Sequence, residues 1–121
     1  MEPQLSMTDE ALRKAMDQVP VGITVIDLDR RILYYNGYCA QIVDRKPEYI
    51  GRDIKDCHQK TESIEKIDRF LEEIKNGRRE KFHYEATRNG LTLAVTVSPY
   101  RTDGKLTGFI QSFVVKRLKK G

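Results

Sequence analysis

Three strand-like runs follow one another in the last third of this chain with no room for a helix between them, and that constrains the sheet it can form. Lys81 to Thr87, Leu91 to Tyr100 and Leu106 to Val115 are rich in β-branched and aromatic residues. Asn89-Gly90, between the first two, is a tight hairpin signal of the type that tolerates positive φ. Asp103-Gly104 is a second turn signal, within a longer loop. Strands joined this closely run antiparallel, because a parallel connection needs a crossover of about a dozen residues. In the middle run Leu91, Leu93, Val95 and Val97 share one face, while Thr92, Ala94, Thr96 and Ser98 share the other. One face is therefore core-like and the other small and semi-polar. Pro99 marks a strand terminus or a bulge.

The preceding segments supply the helices and two more strands. Ser63 to Asn76 reads as the longest helix, with Ile64, Ile67, Phe70, Leu71 and Ile74 on its buried stripe and Asn76-Gly77 as its stop. Ile23 to Leu28 and Ile32 to Tyr35 flank the polar turn Asp29-Arg30-Arg31, which predicts a hairpin. Asn36 stands where a helix should begin, and Tyr38 to Val43 forms a short one. Pro47 suits the first position of another helical turn, which Gly51 stops. Near the N-terminus Thr8 is a helix cap, followed by Asp9 and Glu10. Leu12, Ala15, Met16 and Val19 then recur on one helical face until Pro20 ends the helix. That stripe serves either to cover the domain's own sheet or as a dimer contact; both need the same apolar face.

Strands segregated from helices predict an α+β domain with an antiparallel sheet rather than a parallel βαβ fold. The 121 residues suit one domain. The expected division is a disordered N-terminus over 1–7, a flanking helix over 8–19, the domain proper over 20–116 and a basic exit linker over 117–121. The net charge of +4 is partly local, since Lys116, Arg117, Lys119 and Lys120 fall within the last six residues. Without a basic face carrying stacking aromatics, direct nucleic-acid binding is not expected. Cys39 and Cys57 match no disulfide scaffold, the start lacks a signal-peptide pattern, and no apolar run approaches the ~18 residues of a membrane span. A reduced, cytoplasmic setting is the expectation. No carboxylate pair, Ser-His-Asp set, phosphate loop or HExxH appears, so the chain is not expected to be an enzyme.

The order of elements then meets particular residues. Val21-Gly22-Ile23-Thr24-Val25-Ile26-Asp27, Ile32-Leu33-Tyr34-Tyr35-Asn36, Tyr49-Ile50-Gly51-Arg52 and Gly104-Lys105-Leu106-Thr107-Gly108 resemble, in order and spacing, the opening strands, helix-end glycine and final hairpin of PAS domains. The resemblance covers roughly Leu12 to Val115. It implies an antiparallel sheet of about five strands, with short helices and one longer helix packed on one face, plus an N-terminal helix. It also implies a sensing or dimerisation role, with ligands held between helices and sheet.

Family chemistries can be compared residue by residue. The flavin-binding LOV type carries Asn-Cys-Arg-Phe after the glycine; here Gly51-Arg52-Asp53-Ile54 lacks the reactive cysteine, and a LOV flavin is not expected. Covalent c-type haem needs Cys-x-x-Cys-His, whereas Ile54-Lys55-Asp56-Cys57-His58 has Ile at the first cysteine position. Non-covalent haem stays open, with His58 and Cys57 as candidate axial ligands and His83 as a weaker one. Equally, Cys57 reads as a small apolar residue and His58 as a polar loop residue. The long helix, where haem-binding relatives carry their histidine, has none. For a small organic ligand the candidate lining is Tyr34, Tyr38, Ile42, Ile67, Leu71, Thr96, Ser98 and Phe113. Implied partners are a second copy and an effector: a histidine kinase, a transcriptional regulator or a cyclic-dinucleotide enzyme. The alternative is a ligand-free protein–protein interaction and dimerisation domain.

Overall fold

The computed structural model describes residues 6–43, 47–53, 61–88 and 90–118. In chain order these form α1 (Asp9–Gln18), β1 (Gly22–Asp27), β2 (Ile32–Tyr35), α2 (Gly37–Val43), a 3₁₀ turn (Pro47–Tyr49), α3 (Thr61–Lys75), β3 (Phe82–Arg88), β4 (Leu91–Thr102) and β5 (Lys105–Leu118). The five strands make one antiparallel sheet in the order β2-β1-β5-β4-β3. The last strand of the chain is thus the middle strand of the sheet. The fold is α+β, as the segregation of strands from helices predicts.

Local chemistry sets the boundaries. Thr8 caps α1, its hydroxyl accepting from the Ala11 amide at 3.1 Å. In the β1–β2 turn the Asp27 carboxylate accepts from the amides of Asp29 (2.9 Å) and Arg31 (2.8 Å). Arg30 turns the chain at φ 67°, and its guanidinium lies 3.3 Å from the Asp68 carboxylate on α3. Asp103 and Gly104, at φ 51° and 80°, form the entire β4–β5 turn, because Thr102 already pairs with Lys105. The longer loop expected there is absent; two consecutive left-handed residues match the strand twist. Pro99 stays within β4 opposite Phe109 of β5 but lies past Val97, where pairing with β3 ends, so its missing amide N–H costs the β3–β4 ladder nothing. β5 continues to Leu118, opposite Leu91, two residues into the expected linker.

Cross-strand partners share a face, and the registers define two rows across the sheet. Thr24, Gln111, Val97 and Phe82 form one; Gly22, Phe113, Val95 and Tyr84 form the next. These rows face the core, where Cys39 and Ile42 of α2 and Ile67, Leu71 and Ile74 of α3 pack against them. α2 crosses β1 at Gly22, where an added Cβ would stand 3.1 Å from Ile42 Cδ1 and 3.2 Å from Cys39 Cα. No described helix is long and apolar enough to cross a membrane.

Candidate functional site

The helix-facing side of the sheet is where this fold brings chemistry together. Its walls are apolar: Val95, Val97, Phe109 and Phe113 from the sheet, Ile42, Ile67 and Leu71 from the helices, all buried. Among the described residues the buried polar side chains are Thr24, Asn36 and Gln111, all uncharged. Thr24 Oγ1 lies 3.2 Å from Cys39 Sγ. Gln111 Nε2 donates to Tyr84 Oη at 3.4 Å, whereas Gln111 Oε1, equally buried, has no hydrogen-bond partner. Gln111 is 1% exposed, so solvent does not satisfy that oxygen.

Asn36 sits at the edge of this layer and joins three elements. Its Nδ2 donates to the carbonyls of Met16 (2.7 Å) and Val21 (2.9 Å). Its Oδ1 accepts from the amides of Ile23 (2.8 Å) and Cys39 (3.0 Å). Asp17 Oδ1 accepts from the next amide, Gly37, at 2.6 Å. One side chain therefore ties the end of α1, the start of β1 and the first turn of α2 together, at Cys39 among others.

The structure brings five of the eight candidate lining residues to this side: Ile42, Ile67, Leu71 and Phe113 within the core and Tyr38 against it. Tyr34, Thr96 and Ser98 pair with Val25, Ser112 and Ile110, which places them on the opposite face. His83 is exposed on that same face, with Nδ1 2.9 Å from Thr96 Oγ1. Cys57 and His58 lie outside the described residues. Among the described residues no cluster of three or more His, Cys, Asp or Glu is placed to hold a metal ion. On α1, Leu12 is 50% exposed and Ala15, Met16 and Val19 are partly buried; no residue of the helix is fully buried.

Sequence reasoning passed over Thr24, Tyr84 and Gln111. The signal for Gln111 was present: it lies between Phe109 and Phe113 at a spacing of two, in phase with the buried face.

Tyr34 carries a titration consequence. Burial pushes its phenol above the ordinary tyrosine value of about 10, the Asp17 carboxylate adds to the rise, and Arg13 opposes it. The folded state thus resists ionisation more than the unfolded state. Stability is unaffected below pH 10 and falls as pH rises from there towards the folded-state pKa. Urea midpoints measured between pH 8 and 11 should decline less steeply for Tyr34→Phe than for the wild type. Parallel declines would show that the hydroxyl is not desolvated.

Comparison with known proteins adds to this geometry. The PAS domain family matches residues 12–114. Among solved structures, a C-terminal domain from Streptococcus mutans is 24% identical at a TM-score of 0.76, covering 94% of this chain and 90% of that one. The PAS domain of BvgS from Bordetella pertussis is 21% identical at a TM-score of 0.69, covering 89% and 85%. A sensory box sensor histidine kinase from Vibrio cholerae is 14% identical at 0.65, covering 90% and 92%. No curated protein sequence matches the chain.

Proposed function

The chain belongs to the PAS domain family, and from that premise we propose that it is a signal-input domain that senses a small ligand and relays its presence to an effector. The observation that carries this reading is the pair of buried polar side chains Thr24 and Gln111 on the helix-facing side of the sheet, with Cys39 of α2 in contact with Thr24. A layer serving only as scaffold gains more from apolar side chains at such positions, because a buried amide with an unmet oxygen costs about 1–3 kcal/mol. The effector is a histidine kinase, a transcriptional regulator or a cyclic-dinucleotide enzyme; sensor kinases stand among the structural neighbours.

Two routes out of the layer support a relay. β5 contributes Gln111 and Phe113 to the layer and runs on to Leu118. Asn36 links Cys39 to the last turn of α1. A ligand that prefers one packing of the helices shifts the population of that packing, and both routes carry the shift to the ends of the domain.

The half-exposed apolar stripe of α1 favours a second reading, a ligand-free dimerisation domain using Leu12, Ala15, Met16 and Val19. Thermal unfolding of the purified domain with fractionated small-molecule cell extract separates the two. As a sensor it gains about 2.7 kcal/mol at a ligand concentration of 100 Kd, a rise in Tm of roughly 10 °C or more. If no fraction moves Tm and Leu12→Glu abolishes concentration-dependent self-association, the interaction reading replaces the sensor reading.

A further inference from the structure

We propose that Gln111 is the polar anchor of the ligand site, and that the ligand is an uncharged, largely apolar molecule presenting one N–H or O–H donor to Gln111 Oε1. This rests on the sensor reading above and names the chemistry that the site selects. Gln111 occupies the middle strand of the sheet, between Thr24 on β1 and Val97 on β4. Its side chain is buried on the side that faces the helices. Its two polar ends differ. Nε2 is taken by Tyr84 Oη, while Oε1 has no partner. A carbonyl oxygen accepts and never donates, so what completes this amide is a donor.

The surroundings set the rest of the ligand's character. The neighbouring Thr24 hydroxyl is engaged with the Cys39 thiol. Among the described residues the fully buried polar side chains, Thr24, Asn36 and Gln111, are uncharged, the partly buried Arg30 and Asp68 already neutralise each other, and the apolar neighbours of Gln111 along and across the strands are Phe109, Phe113 and Val97. An ionised ligand would lose its hydration here with no counter-charge to replace it, whereas a neutral ring with a single donor loses little. A donor in place also closes an open hydrogen bond of the protein, so ligands lacking one are rejected by the same oxygen that binds those having one.

The test uses two matched pairs that differ only by methylation of the donor: indole with 1-methylindole, and phenol with anisole. Each is titrated into the ¹⁵N-labelled full chain, and binding is read from backbone amide shifts. Indole and phenol should move the amides of Thr24, Gln111 and Phe113, and bind at least about ten-fold more tightly than their methylated partners. Gln111→Leu should remain folded with a Tm raised by several degrees, because it removes the unmet oxygen, and should erase the preference within each pair. Gln111→Met, closer in shape, provides the same test if the branched side chain disturbs packing.

Equal binding within each pair, tighter binding of the methylated members, or a preference that persists in both variants would overturn the anchor while leaving a ligand-sensing domain intact. Absence of binding by all four probes would overturn it too. The extract experiment decides the sensor reading separately.

Discussion

Asn36→Asp should lower the unfolding free energy by about 3–5 kcal/mol, although it changes one atom group on a side chain that reacts with nothing. Asn36 is fully buried, and all four of its hydrogen-bonding positions are used. The carboxylate would keep the Oδ1 contacts to the Ile23 and Cys39 amides. Its second oxygen, however, would face the carbonyls of Met16 and Val21, where acceptor meets acceptor at hydrogen-bond distance. The charge is also desolvated with no cation to balance it. Asn36→Ala takes a partner from four backbone groups instead, of which the Met16 carbonyl still accepts from the Val19 amide, and should cost a comparable amount. A domain of this size has about 5–15 kcal/mol in total, so either variant unfolds at markedly lower urea with an unchanged m-value. Hydrogen exchange in α1 should rise in both, since Met16 loses its tie to the domain. A cost below about 1 kcal/mol would show that other contacts hold α1, β1 and α2 together.

Much of this architecture is legible in the sequence because the period-two and period-3.6 patterns are strong. The alternation in β4 separates Leu93, Val95 and Val97 from Thr96 and Ser98 correctly. The step that does not follow is treating Thr96 and Ser98 as pocket groups. In this fold α2 and α3 cover one face of the sheet, and the semi-polar row of Thr96 and Ser98 lies on the other. The polar groups that do meet the helices, Thr24 and Gln111, are in phase with apolar neighbours and read as interruptions of a core pattern rather than as a site.

Tyr34 fails for a different reason. It lies two residues after buried Ile32, and simple alternation puts both on one face. The ladder shifts between Val25 and Ile26: Ile32 pairs with Ile26 but Tyr34 pairs with Val25. That irregularity turns Tyr34 to the opposite face, and a bulge of this kind leaves no compositional mark in a four-residue strand.

Gly108→Ala should be at least as damaging, costing about 3 kcal/mol or more, and in cells it should cut soluble yield. Gly108 is buried on β5, opposite Asp27 of β1 and Tyr100 of β4. An added Cβ would fall well under 3.0 Å from the Ile26 carbonyl oxygen, with Ile26 C and Asp27 Cα both at 3.1 Å. All three are backbone atoms of the adjacent strand, so no side chain can swing aside. Relief requires β1 to separate from β5 at this point, which breaks ladder hydrogen bonds beside Ile26 and Phe109, both fully buried. Gly104 is the control that isolates this effect. It sits at φ 80° with nothing within 4 Å of its Cβ position, so Gly104→Ala carries only backbone strain, about 1–2 kcal/mol. Urea unfolding of the two variants side by side should place Gly108→Ala clearly below Gly104→Ala. If the two lose the same amount, β1 and β5 have room to adjust, and the middle of the sheet is softer than its close backbone approach implies.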